Sequence, residues 1–473
     1  MPKLSVIGLD GVNWRILEHA IDKGLMPNLE SVLEESYTAE LETTYPSVTG
    51  PAWTSIVTGD NPGEHGVFDF VDHLESGRPY SSHDIDSETI HERIAEQGEV
   101  TVVNLPLSYP PRFDGEFVGS FLAPEDDYVR PGALKEKFDF SGYTKSISAV
   151  DKSLRVIEAA TETASDKKRL IDVLLDDQDF FYTLFSAPDW IMHNHYREME
   201  LGKNDGAFQV FRVMDDAIGT VMERSENVIL LSDHGFRAFD GVFYVNEWLR
   251  REGFLESSGA MESNWSDNRL VNLFLELVSG NSLSRKAARE LYTVLEPVLP
   301  LPENVKVRLN AALSDGICME RSEAFCPSSG IRGIYINDER FEGVAENPDS
   351  LRQEIIERLP DYVEPIPREE VYSGEHLEKA PDIVFREDEY RISRAIYGRL
   401  TSANQVNHHG RKGFLVAAGE NFETREERDD RALYDVAPTI AELFGLDFEA
   451  DGEAIGIVES SLRLSGSDVP GDF

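Results

Sequence analysis

Short apolar runs recur along the chain and alternate with stretches whose apolar positions return every three or four residues. The runs at 4–9, 100–105, 180–185 and 228–232 are brief and nearly continuous, so each predicts a strand buried on both faces. Between them, 14–23, 26–35, 154–175 and 208–223 predict helices, the last two from an apolar period near 3.6. Such alternation predicts an α/β fold, a mostly parallel central sheet with helices on both faces. From about 246 to 310 the pattern breaks into short helical pieces parted by Ser, Asn and Gly, as in Ser257-Ser258-Gly259, which predicts an insertion or cap. Strands are expected again at 333–337 and 383–385 around a helix at 351–359, then a strand at 413–417 and a helix at 433–444 stopped by Gly445. The expected organisation is a core of 1–245 and 395–473, an inserted cap of 246–394, and an acidic surface extension after Glu449.

Two of the apolar runs end alike. The first is followed by Asp10 and Gly11, the fourth by Asp233, His234 and Gly235. Carboxylates so placed lie at the C-terminal edge of buried strands, where open α/β sheets build their sites. Asp and His there can ligate a metal, although Asp233 could equally cap a turn. Thr49 lies just before a helix expected from about Pro51, where it could face a phosphate or merely cap the helix. Asp189 and His193 stand four apart after the third run, on one face if the chain turns helical. The pair His408 and His409, before the late strand, fits a ligand or a basic turn. Two divalent ions held by Asp and His around a hydroxyl form a clamp for in-line displacement at phosphorus.

Composition narrows the setting more than the chemistry. The 473 residues allow a substantial core. With 88 acidic against 45 basic residues, the formal charge of −43 is spread along the whole chain. A surface so charged repels nucleic acid and anionic membranes, and it matches proteins of salt-accumulating halophiles, whose self-repulsion concentrated salt screens. Cys318 and Cys326 are too few for a disulfide framework or a Cys-based zinc site. No apolar stretch has a membrane-spanning length and no signal sequence is evident, so a cytoplasmic protein is expected.

The motifs GLDG (8–11), TGPAWTSIVTGDNPGEHG (49–66), APDWIMH (187–193), SDHGF (232–236), HHGRKGFLVAAG (408–419) and YDVAPTIAELFGL (434–446) run in an order that resembles the alkaline phosphatase superfamily, in its type I phosphodiesterase/nucleotide pyrophosphatase branch. The resemblance implies that Asp10, Thr49, Asp233 and His234 hold one metal and that Asp189, His193 and His409 hold the other. It implies zinc or manganese as the ions, a small phosphorylated substrate, and a phosphothreonyl intermediate on Thr49. Within the branch's register Thr49 is favoured over Thr44, His193 over His195 and His409 over His408, and His65 is structural. A phosphodiesterase or pyrophosphatase is the expected activity. The alternatives are a phosphomutase or phosphomonoesterase of the same superfamily, and a non-catalytic binding protein. A sulfatase is disfavoured because Thr49-Gly50-Pro51-Ala52-Trp53 lacks that group's Cys or Ser and its Arg.

Overall fold

The computed structural model describes residues 1–74, 77–147, 155–257, 317–396, 399–403, 405–425 and 427–457. A nine-stranded sheet runs in the order Asp429–Ala432, Tyr37–Glu42, Lys412–Ala418, Asn227–Leu231, Leu4–Leu9, Phe180–Phe185, Val100–Val103, Glu116–Val118, Val129–Arg130. Leu4–Leu9 is parallel to both neighbours, with Gly8 opposite Leu184 on one side and Leu231 on the other. Lys412–Ala418 is antiparallel to both of its neighbours, so the sheet is mostly parallel. Every residue of Leu4–Leu9 and Phe180–Phe185 is buried, as a continuous apolar run between two layers must be.

One face packs on the helices Trp14–Asp22, Val156–Leu174 and Asp205–Arg224 around Phe181, Phe185 and Phe211. The other packs on Thr49–Thr58 and Val436–Phe444 around Trp53, Tyr182 and Phe117. A separate four-stranded antiparallel sheet, Ala324–Phe325, Gly333–Ile336, Ile383–Arg386 and Glu364–Pro367, has its own core around Tyr335, Phe385 and Ile355. Of the quiet stretch at 246–310, residues 258–310 lie outside the described residues.

The structure departs from the sequence expectations at three places. Tyr37–Glu42 is a strand the apolar pattern misses, because acidic Glu40 and Glu42 alternate with its buried residues. The turn expected after Phe185 is a full helix, Ala187–Glu200. The chain beyond Glu449 is tied down as far as it is described: Asp451 accepts from the backbone and side-chain nitrogens of Asn61 at 3.0 and 2.7 Å, and Ile455 is buried. Residues 458–473 lie outside the described residues. Among the described residues no helix is long and apolar enough to cross a membrane.

Candidate active site

Asp10 and Asp233 leave adjacent parallel strands at the same edge of the sheet. The chain turns sharply after Asp10 because Gly11 takes φ +76°, and a Cβ there would lie 2.8 Å from the Phe236 ring, so only glycine fits. The Gly11 N–H donates to Asp233 Oδ1 at 3.2 Å, locking the two turns together. His234 follows, with Nδ1 3.0 Å from the Gly235 carbonyl. That bond assigns the ring proton to Nδ1 and leaves Nε2 as a lone-pair donor, the usual arrangement in a metal-ligating histidine. Nε2 lies 3.3 Å from Asp233 Oδ2, 3.6 Å from Asp10 Oδ1 and 3.4 Å from Thr49 Oγ1. Thr49 is the first residue of its helix, and the capping position is Val48. Its hydroxyl is therefore not spent as a helix cap; it faces His234 at the positive helix end.

The second group draws on two other elements. Asp189 and His193 share a face of the Ala187–Glu200 helix, with Asp189 Oδ1 3.4 Å from His193 Nε2. His409 comes from the strand Val406–Gly410, which pairs antiparallel with Gly235–Phe239 and sets His409 opposite Phe236. This ribbon stacks the His234 and His409 rings with centroids 3.8 Å apart. His409 Nδ1 bonds the Ser47 carbonyl at 2.8 Å, and its Nε2 is 3.2 Å from both Asp189 Oδ1 and His193 Nε2. The ligand-type atoms of Asp10, Asp233 and His234, and those of Asp189, His234 and His409, each gather within 4.8 Å. All seven residues expected from the sequence thus converge, with His234 between the two groups. His195 turns instead to Asn204 and Glu198, and His408 to Arg332. His65 bonds Ser55 at 2.9 Å within the core.

The electrostatics fit a cation. Burial pushes the Asp233 carboxyl well above the usual carboxylate range and the nearby charge of Asp189 adds to the rise, against the pull of the Gly11 N–H. Burial would raise Asp189 too, but His193 and His409 beside it hold it below that range. Burial, then the neighbouring His409, keeps His234 neutral. Asp233 Oδ2 is buried and accepts no hydrogen bond from the described residues. Desolvated carboxylates among neutral imidazoles are costly unless paired with positive charge. Three Asp and three His with a hydroxyl suit borderline divalent ions.

Beside the second group opens a cleft of about 490 Å³, lined by Tyr45, Ser47, Phe236, Arg237, Arg332 and His409 among others. Its cations are largely engaged. Arg411 pairs with Glu42 at 2.8 Å and lies over the Tyr45 ring, and Lys412 pairs with Glu40 at 2.6 Å and Asp430 at 3.0 Å. Sequence reasoning missed Arg332 and Ser47, which no local pattern marks.

The sheet order, with the donor set at its carboxyl edge, places the molecule in the alkaline phosphatase-like class of α/β proteins. More narrowly, the chain belongs to the type I phosphodiesterase/nucleotide pyrophosphatase family, whose pattern matches residues 4–414. It is 25% identical to human ectonucleotide pyrophosphatase/phosphodiesterase family member 1 over 257 residues, and 22% identical to bovine family member 3 over 361. These matches cover 52% and 72% of this chain but only 25% and 38% of the relatives, so the chain spans well under half their length. Among solved structures, murine ectonucleotide pyrophosphatase/phosphodiesterase 5 superposes with TM-score 0.52 at 14% identity, covering 95% of this chain and 97% of that one. Phosphonoacetate hydrolase from Sinorhizobium meliloti 1021, in complex with phosphonoformate, gives TM-score 0.53 at 14% identity over 92% and 94%. At such identity the likeness is one of fold.

Proposed function

We propose that the chain is a two-metal phosphohydrolase that cleaves phosphodiester or pyrophosphate bonds of small phosphorylated substrates, with Thr49 as nucleophile. The observation that carries this is the Thr49 hydroxyl, 3.4 Å from His234 Nε2 at a helix start, facing a buried set of Asp and His. Asp10, Asp233, His234 and Thr49 would hold one ion, and Asp189, His193 and His409 the other. Zinc or manganese suits the donors best. Bound ions would lower the pKa of the hydroxyl and steady the leaving oxygen. Thr49 Oγ1 forms a bond to phosphorus as the leaving oxygen departs with its electron pair. Water then attacks the phosphothreonine and regenerates the hydroxyl. The helix start at Thr49 favours the negative phosphoryl oxygens. A structure of murine ectonucleotide pyrophosphatase/phosphodiesterase 5 with AMP is of an inactive threonine-to-alanine variant, so in that protein a threonine is needed for activity.

Diesters are favoured over monoesters because the cations beside His409 are already paired: Arg411 and Lys412 are bound to Glu42, Glu40 and Asp430. Little positive charge is left for the extra negative charge of a monoester. The described parts of 246–394, residues 246–257 and 317–394, are proposed as the cap over this site. A cytoplasmic location and a need for high salt complete the proposal, the latter from the charge of −43. Thr49→Ala should abolish turnover while leaving the fold intact, and a chiral diester should show net retention at phosphorus, since two in-line inversions cancel. Full activity in Thr49→Ala or inversion at phosphorus would remove Thr49 as nucleophile, and a tenfold preference for an aryl monoester over its methyl aryl diester would reject the diesterase assignment.

A further inference from the structure

Arg332 sits in the loop between Ala324–Phe325 and Gly333–Ile336 of the small sheet, with φ +48°, a conformation that favours glycine. A bulky residue held there needs a reason elsewhere, and strained backbone of this kind gathers at functional sites. Its side chain is only 3% exposed and all four terminal N–H groups are engaged. Nη1 donates to Ser47 Oγ at 2.9 Å and to Glu387 Oε2 at 2.6 Å. Nη2 donates to the Ser47 carbonyl at 3.2 Å and to His408 Nδ1 at 2.9 Å. Both terminal nitrogens are thus committed to the protein's own groups, and only the buried Nε is left without a hydrogen-bond partner among the described residues.

What the fork holds is the surround of His409. The Ser47 carbonyl that accepts from Arg332 also accepts from His409 Nδ1, and the His408 Nδ1 that accepts from Arg332 also accepts from the His409 backbone N–H at 2.8 Å. Arg332 therefore grips the partners of His409 on both sides, and through Ser47 it grips the segment that runs into Thr49. The same loop is pinned a second time, where Ser328 Oγ donates to Asp69 Oδ2 at 2.5 Å.

We propose that Arg332 is a positioning residue that aims His409 Nε2 at the second metal position and fixes the approach to Thr49, making the small sheet part of the site's rigid frame. This rests on the two-metal reading above. Partners that orient a ligating histidine typically change metal affinity by about 10- to 100-fold when removed.

The test uses Arg332→Gly, which the left-handed backbone favours, and Arg332→Lys, which keeps the charge but not the fork. Zinc binding to chelator-stripped full-length protein is followed by calorimetry, with kcat and KM measured on a methyl aryl phosphodiester. The unaltered protein should bind two ions. Both variants should keep their circular dichroism and bind the first ion as before, but bind the second about 10- to 100-fold more weakly. Their kcat should fall similarly, with KM within about twofold. Restoration of both properties in Arg332→Lys would overturn the proposal, since a charged anchor would then suffice. Unchanged affinity for the second ion in Arg332→Gly, or equal weakening at both positions, would overturn it too. Failure of the unaltered protein to bind two ions would bring down the two-metal reading itself, and this proposal with it.

Discussion

The two halves of the site are built by different means. Asp10, Asp233 and His234 come straight off the edge of the sheet, from strands buried along their whole length, and their side chains are at most 3% exposed. Asp189, His193 and His409 come from a helix and an antiparallel ribbon, and the His193 side chain is 36% exposed. The first half is thus a by-product of core packing and needs little further support. The second is an assembly of parts that would drift apart without secondary contacts, and Arg332, Ser47 and His408 supply them. Rigidity at this candidate site is inherited in one case and constructed in the other.

Ligand replacements give the largest expected effects and would break this contrast if they came out equal. Asp233→Asn removes a buried charge at the centre of the rigid half, and kcat should drop by at least the roughly 100-fold that even outer contacts of a metal reach. His193→Asn, at the open rim, should cost less than Asp233→Asn but at least the roughly tenfold that outer contacts reach, and be partly recovered by excess metal. Equal losses for the two, or recovery of Asp233→Asn by metal, would show that the halves are not built differently.

Acid stability reports on the histidines buried away from the site. Burial pushes His65 down to about 3 and His91 down to about 4, from an ordinary 6.5. Both are neutral in the folded protein and take up a proton on unfolding below pH 6.5. Their contribution is therefore fully present above 6.5 and is lost as the pH falls toward 3 to 4. Between pH 7 and pH 5 each should remove roughly 2 kcal/mol of stability. Urea unfolding of metal-loaded His91→Gln should be flatter over this interval than that of the parent; parallel curves would show that His91 is not buried neutral.

The smallest expected effect is in metal exchange. The enclosed half should release its ion last, so stepwise chelation should strip one equivalent before the other, with affinities about tenfold or more apart, on the order of 1.4 kcal/mol. Two ions lost together would erase the distinction.

How much of this the sequence discloses follows the same division. Leu4–Leu9 and Phe180–Phe185 are legible because continuous apolar runs have few other uses, and the carboxylates that end such runs are legible with them. Asp189 and His193 are legible because helical spacing sets their neighbourhood. The ribbon Gly235–Phe239 with Val406–Gly410 is not, since polar ligands and glycines interrupt its apolar alternation. Arg332 is invisible for a deeper reason: Ser47 lies 285 positions away, and no local period encodes such a contact. Motif order, through family resemblance, places His409 where local physics leaves it open.

The central place of Leu4–Leu9 also constrains how the molecule comes together. This strand is covered on both edges only by segments beyond residue 179, so it cannot be sheltered by anything near it in sequence. Closing such loops is slow, and an uncovered apolar strand invites pairing with other chains in the meantime. A dense negative charge, −43 over the whole chain, opposes that association by keeping nascent copies apart. The same acidity thus acts as protection while the chain is still incomplete.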